Sequence, residues 1–479
     1  MSGSRTVHLI GICGTAMASL AGLLREKGLA VTGSDAAAYP PMSDQLAAMG
    51  IPVMEPYAAA NLDGEPELVV VGNAISRGNP EVERVLNERM RFTSMAEILR
   101  QEFLETRETL VVAGTHGKTT TTSMLAWIYQ TAAGLKAGLE PSFLIGGVAE
   151  NFATSYQLRS TSRFVLEGDE YDTAFFDKGP KFLHYFPLRL ILTSVEFDHA
   201  DIYADLEQVK TAFKRLVNLV PGRGRIVAWD GSANVTECVA RAFCPVERYG
   251  FTEGADWQIR NLRFEAGRSR WQVWHEGALW AELEMGVAGE HNVLNATAAA
   301  ALAAGDGVPV EAVQAGLKSF LSVKRRLEVK AQVAGITVID DFAHHPTAIR
   351  ETLKALRQAW PGQRLWAVLE PRSNTLRRNV FKREVAEALA GADRVLMAGV
   401  FQMERIPVEE RLHPEEVVAL VNEAGVPAKL LADVDAIVRE LTAEARAGDV
   451  IAILSNGGFG GIYQKLPAAL EARAAEVAG

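Results

Sequence analysis

A short apolar run at residues 109–112 leads into a loop of glycines, a lysine and threonines, and then into a helical segment. The loop residues are Gly114, Thr115, His116, Gly117, Lys118, Thr119 and Thr120. A strand–loop–helix unit of this kind points backbone N–H groups and a helix N-terminus at an anion. We expect Lys118 to contact the outer phosphates of a nucleotide and the Thr119 hydroxyl to bind Mg²⁺. The unit predicts an α/β domain with a parallel sheet.

The loop departs from the full phosphate-loop pattern at one position. That pattern has a glycine five residues before Gly117, where this chain has Val112. A simple glycine turn with an exposed lysine is the alternative interpretation. The preceding strand and the following helix favour nucleotide binding.

Three segments follow one another along the 479 residues, and each opens with a predicted strand. We place them at 1–107, 108–323 and 324–479. Strands alternate with helices in all three, which predicts an α/β fold with three domains, each on a mostly parallel, doubly wound sheet. Residues 257–285 differ, with four tryptophans and a turn at Glu276-Gly277, and predict a small antiparallel patch in the central domain.

Charge and cysteine content exclude several classes of protein. The net charge is −10, from 59 acidic and 49 basic residues, which disfavours a nucleic-acid-binding face. Cys13, Cys238 and Cys244 have no metal-ligand spacing and indicate free thiols in a reducing compartment. No signal-peptide pattern and no apolar run of membrane-spanning length occur, so we expect a cytoplasmic protein without membrane insertion.

Two acidic motifs follow predicted strands of the central segment. One runs from Glu167 to Asp172 after a strand at 164–166, and the other from Glu196 to Asp201, with His199, after a strand at 190–193. Side chains at the carboxyl ends of parallel strands face the ligand crevice, where carboxylates can bind Mg²⁺. A solvated acidic turn and a structural histidine are the alternatives.

The first segment carries a loop that fits a dinucleotide fingerprint poorly. Gly11 and Gly14 are present, but Cys13 and Ala16 stand at the second and third glycine positions of that pattern. Taken alone, the loop leaves a nicotinamide-dependent dehydrogenase open.

The motif at 114–119 and the order of the three segments resemble the Mur ligase family, the ATP-dependent enzymes that build the cell-wall peptide. The resemblance implies ATP and Mg²⁺ as cofactors, with Lys118, Glu167 and His199 as catalytic residues and Thr119, Glu167 and His199 at the metals. It implies that His291 and Asn295 meet the adenine, that Arg326 contacts ATP and that Asp341 holds the ribose. Some relatives carry a carbamylated lysine near the position of Lys210 or Lys214, where a surface lysine is the favoured interpretation. His344 and His345 lie close to the same site without an assigned role.

In the first segment the resemblance implies a UDP-sugar site. Its residues are Gly11, Gly14, Thr15, Ser34, Asp35, Asn73, Ala74 and Ser76. A plain turn is the alternative for Asp35.

Two loops of the last segment resemble the family members that recycle an intact tripeptide, as do residues 33–35 with 39–42. The candidate peptide-binding residues are Arg372, Ser373, Asn374, Asn456 and Gly457. An arginine offers a two-pronged contact to a carboxylate, and glycines let a bulky peptide approach the backbone. An ordinary glycine-rich turn is the alternative for the loop at 455–461.

The resemblance therefore implies ligation of L-Ala-γ-D-Glu-meso-diaminopimelate to UDP-N-acetylmuramate in peptidoglycan recycling, through an acyl phosphate, with release of ADP and phosphate. We expect a monomer that takes only these small-molecule substrates. A ligase that adds free L-alanine is the nearest alternative. A non-catalytic UDP-sugar-binding regulator is the alternative outside enzymes.

Overall fold

The first sheet has five parallel strands in the order β3-β2-β1-β4-β5. The computed structural model describes residues 5–38, 42–265 and 267–478, so 39–41 of the motif noted above lie outside the described residues. The strands are β1 (Thr6–Ile10), β2 (Ala30–Ser34), β3 (Val53–Met54), β4 (Leu68–Val71) and β5 (Phe92–Ser94). The helices are α1 (Thr15–Glu26), α2 (Met42–Ala48), α3 (Pro80–Asn87) and α4 (Met95–Leu99).

Helices cover both faces of this sheet, as a doubly wound fold requires. Leu9 of β1 packs in the cluster that contains α1, whereas Ile10 packs on the opposite face with Val82 of α3. Because both faces are buried, β4 reads as a continuous apolar run rather than as an alternating one.

The second sheet has ten strands in the order β17-β16-β15-β14-β13-β12-β6-β9-β7-β8. Its central strands are parallel, and β8 pairs antiparallel at one edge. This segment of the chain contains the ten strands of the sheet and the two strands β10 and β11, which lie outside it. They are β6 (Glu108–Ala113), β7 (Ser142–Ala149), β8 (Thr154–Gln157), β9 (Arg163–Gly168), β10 (Asp172–Ala174), β11 (Asp177–Pro180), β12 (Arg189–Leu192), β13 (Arg225–Trp229), β14 (Val246–Gly250), β15 (Trp257–Glu265), β16 (Arg268–His275) and β17 (Ala278–Met285). The helices are α5 (Lys118–Ala133), α6 (Leu206–Leu219), α7 (Ala233–Val239), α8 (Glu290–Gly305) and α9 (Val310–Lys318). Strands β10 and β11 form a separate hairpin.

The predicted antiparallel patch is confirmed as strands β15 to β17. Glu276 and Gly277 both have positive φ, at 49° and 78°, as a tight two-residue hairpin turn requires. The patch continues the main sheet, because β15 pairs with β14. Its buried Trp271 donates a hydrogen bond to Thr297 of α8 at 3.1 Å, which fixes the patch on the helix layer.

The third sheet has six strands in the order β18-β19-β23-β20-β21-β22, parallel except for the edge strand β18. The strands are β18 (Glu328–Val333), β19 (Ile336–Asp341), β20 (Leu365–Leu369), β21 (Arg394–Ala398), β22 (Ala428–Leu431) and β23 (Val450–Leu454). The helices are α10 (Pro346–Ala359), α11 (Lys382–Leu389), α12 (Pro414–Glu423), α13 (Val434–Glu444) and α14 (Ile462–Ala478). Two apolar clusters cover its two faces.

The cysteines and the helices of the described chain were the subject of two further predictions. Cys13, Cys238 and Cys244 are buried free thiols. Among the helices of the described chain, none combines the length and the apolar character needed to cross a membrane.

Candidate active site

The loop between β6 and α5 forms one wall of a crevice at the carboxyl ends of the central strands. Gly117 opens α5 with a φ of 80°, a left-handed conformation that favours glycine. A Cβ at this position would lie 2.5 Å from Oδ1 of Asn295 on α8. The absence of a side chain therefore lets Asn295 pack against the loop, so the structure brings these two predicted nucleotide-site residues together.

Lys118 is folded back over the same loop. Its Nζ donates to the carbonyl oxygens of Gly114 at 2.7 Å and Thr115 at 3.2 Å, and to Oε2 of Glu170 at 2.8 Å. Burial would lower the pKa of Lys118, but the carboxylates of Glu170 and Asp169 outweigh it and raise the pKa above its ordinary value. The ammonium is therefore charged and held at the mouth of the loop, as binding of outer phosphates requires.

Thr119 and Glu167 meet beside this lysine. The Thr119 hydroxyl donates to Oε1 of Glu167 at 2.9 Å, and the N–H of Gly146 donates to Oε2 at 2.9 Å. Burial raises the pKa of the Glu167 carboxyl, and the charge of Lys118 counteracts this. A hydroxyl and a carboxylate in contact next to a phosphate loop are the oxygen ligands that suit Mg²⁺, so these residues fit the metal that the family resemblance implies.

His199 reaches the same crevice through Glu170. Its Nε2 lies 3.2 Å from Glu170 Oε1, and its ring packs edge-on against Tyr171 at 5.0 Å. Burial lowers the pKa of His199, but Glu170 and Asp198 outweigh burial and raise it to about 9. The imidazole must therefore lose a proton before it can bind a metal.

Glu170 is the central residue that the sequence analysis missed. It is 2% exposed and joins Lys118 to His199. Its pKa lies below the ordinary value, because Lys118 and His199 outweigh the effect of burial. The sequence signal for Glu170 is its place in the acidic run from Glu167 to Asp172. Within that run only Glu167 was predicted to bind a metal.

His116, Glu196 and His345 meet where the central domain touches the third domain. Their ligand atoms lie within 4.8 Å of one another, and the two imidazole rings are 4.6 Å apart. His345 Nε2 contacts the carbonyl oxygen of Phe197 at 3.1 Å, and its Nδ1 accepts from the N–H of Thr347 at 3.3 Å. Both ring nitrogens of His345 are thus engaged, so the group joins two domains and has no free His345 lone pair for a metal.

The region predicted to receive the adenine adjoins a cavity of about 510 Å³ between the central and third domains. Arg326, Ala288 and Ala355 are among its lining residues. His291 lies near the lining residue Ala355, because a Cβ on Gly289 would meet the side chains of both at 2.8 and 2.9 Å. The buried Nδ1 of His291 has no hydrogen-bond partner. Burial, with the charges of Arg326 and Lys354, lowers the pKa of His291 to about 4 and keeps the ring neutral. An unpartnered ring nitrogen beside a cavity of this size suits a heteroaromatic base.

Asp341, predicted to hold the ribose, has another role in this state. Its carboxylate accepts from the N–H of Leu327 at 2.8 Å, the N–H of Ala343 at 2.9 Å and the hydroxyl of Thr352 at 3.0 Å. These contacts tie the end of β19 to α10 and to the residue before β18. The carboxylate does not face open solvent, because Asp341 is 4% exposed. His344, close by, is also engaged, with Nδ1 2.9 Å from the carbonyl oxygen of Phe342.

The two lysines considered for carbamylation are both bound to carboxylates. Lys210 pairs with Glu207 at 2.7 Å and with Glu237, and Lys214 pairs with Glu237 at 2.7 Å. These ion pairs raise the pKa of Lys210 above its ordinary value. Because carbamylation needs a neutral amine, this environment favours the interpretation of ordinary lysines.

The loops predicted to bind the UDP sugar follow the neighbouring strands β2, β1 and β4. Helix α1 begins at Thr15 after Gly14, and no side chain caps its N-terminus. Asp35 holds the first loop, because its Oδ2 accepts the N–H of Cys13 at 2.9 Å. The exposed residues Asn73, Ala74 and Ser76 follow β4 at the same sheet edge. An open helix N-terminus at this edge suits a diphosphate.

Ser34 does not offer its side chain to this crevice. It is fully buried, and its hydroxyl donates to Oε2 of Glu81 at 2.6 Å, which also lies 3.2 Å from His8 Nε2. In this structure the side chain of Ser34 thus contacts Glu81 and not the open crevice. A buried carboxylate needs these donors, so Ser34 supports the strand behind the site.

The two loops predicted to bind the peptide come together at the ends of β20 and β23, which are adjacent strands. The guanidinium of Arg372 lies over the ring of Phe401 at 3.8 Å. A Cβ on Gly457 would lie 2.1 Å from Arg372 Nε, so glycine is needed for this approach. Asn456 beside it has a buried Oδ1 without a hydrogen-bond partner. A cation and an unpartnered amide oxygen suit a ligand with carboxylates and N–H groups.

The other two predicted peptide residues lie at the contact with the central domain. The Ser373 hydroxyl accepts from the N–H of Leu376 at 3.1 Å. Asn374 donates through Nδ2 to Asp201 Oδ2 at 2.9 Å. The next residue, Thr375, donates to Oδ1 of Asp198 at 2.7 Å. The candidate peptide loop thus sits directly against the loop that carries His199.

Known proteins resemble this chain along almost its whole length. Three family models match, described as Mur ligase family, catalytic domain (residues 6–106), Mur ligase middle domain (112–303) and Mur ligase, glutamate ligase domain (325–457). The UDP-N-acetylmuramate–L-alanyl-γ-D-glutamyl-meso-2,6-diaminoheptandioate ligase of Escherichia coli is 45% identical over 96% of this chain and 97% of its own length. A UDP-N-acetylmuramate–L-alanine ligase of Acidithiobacillus ferrooxidans is 33% identical over 97% of both chains. The crystal structure of a murein peptide ligase from Psychrobacter arcticus is 38% identical, covers 97% of this chain and 98% of its own, and superposes with a TM-score of 0.74. The chain therefore belongs to the Mur ligase family.

Proposed function

We propose that this chain joins the free amine of L-alanyl-γ-D-glutamyl-meso-diaminopimelate to the lactyl carboxylate of UDP-N-acetylmuramate, with conversion of ATP to ADP and phosphate. The observation that carries the proposal is the pairing of Lys118 with Glu170 beside the contact of Thr119 with Glu167, at one edge of the central sheet. The Arg372 loop of the third domain lies against the same region, because Asn374 donates to Asp201. The 45% identity to the Escherichia coli tripeptide ligase supports the choice of substrates.

The first step is transfer of the γ-phosphoryl group to the lactyl carboxylate. Lys118 offsets the charge on the transferring group, and the backbone N–H groups of the loop hold the phosphates in place. Mg²⁺ held by Thr119 and Glu167, and a second ion at His199, would supply further neutralisation of phosphate charge. Arg326 and His291 would hold the base and phosphates on the side of the cavity.

The second step is attack of the peptide amine on the acyl phosphate, which expels phosphate. Arg372, Asn456 and Gly457 would orient the peptide, and Asn374 keeps their loop against Asp201. The contact between the third domain and residues 196–201 covers the crevice. Such closure excludes water, which would otherwise hydrolyse the acyl phosphate.

The site assignments follow from this proposal. We propose domains at 1–107, 108–323 and 324–479, because each sheet lies within one of these ranges. We propose that the loops at Gly11–Thr15, Asp35 and Asn73–Ser76 bind the UDP sugar.

Ligation of free L-alanine is the second candidate function, supported by the 33% identity to an alanine ligase.

Release of phosphate from ATP separates these candidates. The assay contains Mg²⁺ and UDP-N-acetylmuramate, with either the tripeptide or free L-alanine as acceptor. We expect turnover with the tripeptide and little with alanine. Turnover mainly with alanine would replace the proposed acceptor. A chain that binds UDP-N-acetylmuramate but releases no ADP with either acceptor would be a regulator instead.

A further inference from the structure

A cluster of four arginines lies in the third domain beside the candidate peptide loop. Its members are Arg372, Arg377, Arg378 and Arg405. The N–H of Phe401 donates to the carbonyl oxygen of Pro371 at 3.0 Å, which places the segment of Arg405 against the loop of Arg372. The charges of the other three arginines all act on the guanidinium of Arg377. Such a concentration of like charge costs free energy unless anions compensate it.

Carboxylates of the chain form ion pairs with two of the four arginines. Arg378 pairs with Glu410 at 2.7 Å, and Arg372 lies 3.5 Å from Glu370. In the described part of the chain, Arg377 and Arg405 form no ion pair, although the carboxylate of Asp201 acts on Arg377 without pairing with it. Arg377 donates to Oδ1 of Asn374, but its Nε is buried without a hydrogen-bond partner. Burial, together with the neighbouring arginines, lowers the pKa of Arg377. The buried Nε of Arg377 and the unpaired guanidinium of Arg405 are therefore two donors that a ligand anion can satisfy.

The cluster begins at the reaction centre and extends outward. Asn374, which accepts from Arg377, donates to Asp201 at 2.9 Å. Asp201 also accepts a hydrogen bond from Tyr171, whose ring packs on His199 at 5.0 Å. At the other end, Arg405 is exposed. A peptide whose amine reaches the crevice would therefore pass Arg372 and Arg377 and extend towards Arg405.

We infer that Arg377 and Arg405 bind a carboxylate of the third residue of the incoming peptide and so select peptides over free alanine. The inference rests on the proposed function. Arg372, beside Asn456 and Gly457, would bind a carboxylate nearer the reacting amine. Free alanine carries a single carboxylate and cannot fill both positions, whereas the tripeptide carries carboxylates at its second and third residues.

The test is steady-state kinetics with three single variants, Arg377→Gln, Arg405→Gln and Arg439→Gln. Arg439 is an exposed arginine on α13 and serves as the matched control for loss of one charge. We expect the KM for the tripeptide to rise about 10- to 100-fold in the first two variants, the range for loss of a hydrogen bond to a charged group. The KM values for ATP and UDP-N-acetylmuramate should stay unchanged, as should all constants of the control.

A second peptide identifies the carboxylate. Amidation of the third residue's carboxylates should raise the KM of the unaltered enzyme by a similar factor. It should have a smaller effect in the Arg377 and Arg405 single variants, because each of them has already lost one of the two arginines that bind the carboxylate. An additional full loss in the variants would overturn the inference. Arg405 is exposed, so its variant keeps the test valid even if replacement of Arg377 disturbs folding.

The same kinetic measurements distinguish failure of the proposed function from failure of this inference. An unaltered enzyme that does not turn over the tripeptide refutes the proposed function. An unaltered enzyme that turns over the tripeptide, with the same KM in the Arg377 and Arg405 variants, refutes only this inference.

Discussion

The hydroxyl of Thr119 donates a hydrogen bond to Oε1 of Glu167 across 2.9 Å, and so joins the first turn of α5 to the end of β9. Strands β6 and β9 are neighbours in register, with Val112 opposite Glu167. The loop that follows β6 and the carboxylate at the end of β9 must therefore lie at the same sheet edge. The sheet itself therefore places the proposed phosphate-binding loop beside the proposed oxygen ligand for a metal.

Replacement of Glu167 by glutamine should separate metal binding from folding. The amide keeps the shape of the side chain and can still contact Thr119 and Gly146, but it removes the negative charge. Because changes around a metal cost about 10- to 100-fold in affinity even outside the ligand shell, we expect at least that loss in apparent Mg²⁺ affinity. A Mg²⁺ titration of phosphate release measures it. Glu150→Gln, at an exposed position after β7, is the control; equal Mg²⁺ curves for both variants would contradict the assignment.

Lys118→Met should reduce stability as well as activity. The substitution leaves Glu170, which is 2% exposed, with His199 as its remaining cationic partner. Removal of one member of a buried ion pair costs about 3 kcal/mol, and His199 should offset part of this. The double variant Lys118→Met/Glu170→Gln should recover most of the lost stability in urea unfolding but none of the activity. A double variant no more stable than the single one would show that the pair is not coupled.

His345 should make the protein less stable in mild acid. Burial and the charge of His116 lower its pKa to about 4 in the folded state, from an ordinary value of 6.5. Between these two values the unfolded chain binds more protons, so stability falls as the pH is lowered through this window. At pH 5 one such histidine lowers the free energy of unfolding by about 2 kcal/mol, because it is protonated in the unfolded chain and mostly neutral in the folded protein.

The measurement is the free energy of unfolding at pH 7 and at pH 5. In His345→Gln the difference between the two pH values should shrink by about 2 kcal/mol relative to the unaltered protein. His413→Gln, at an exposed position, should keep the original difference. A His345 variant with the same pH dependence as the unaltered protein would show that this imidazole does not titrate in the window.

The local features of the site were predictable from the sequence. The loop from Gly114 to Thr119 sits between a strand and a helix, and that order alone sets the direction of its N–H groups. The places of Glu167 and His199 followed from the strands before them, because parallel strands end at a common edge. The antiparallel patch followed from alternation and from the turn at Glu276-Gly277.

The contacts between distant segments were not predictable in this way. Asn374 and Asp201 are 173 residues apart in the chain, and no local pattern links them. The same holds for Glu170, whose role depends on Lys118 and His199 converging from two other strand ends. The direction of the Ser34 side chain was not predictable either, because a β-strand residue can face either side of a sheet, and here Glu81 offers it a buried partner.

Two adjacent glycines offer a final test of the peptide site. A Cβ on Gly457 would lie 2.1 Å from Nε of Arg372, whereas a Cβ on Gly458 would have no atom within 4 Å. In Gly457→Ala the arginine must therefore leave its position over Phe401, where it lies 3.8 Å from the ring centre. We expect the KM for the tripeptide to rise about tenfold, the effect of losing one charged hydrogen bond, with the KM for ATP unchanged. Gly458→Ala should behave like the unaltered enzyme in the same assay. If both variants bind the tripeptide normally, Arg372 does not contact the peptide from this position; if both lose activity with all substrates, the loop serves the fold and not the acceptor.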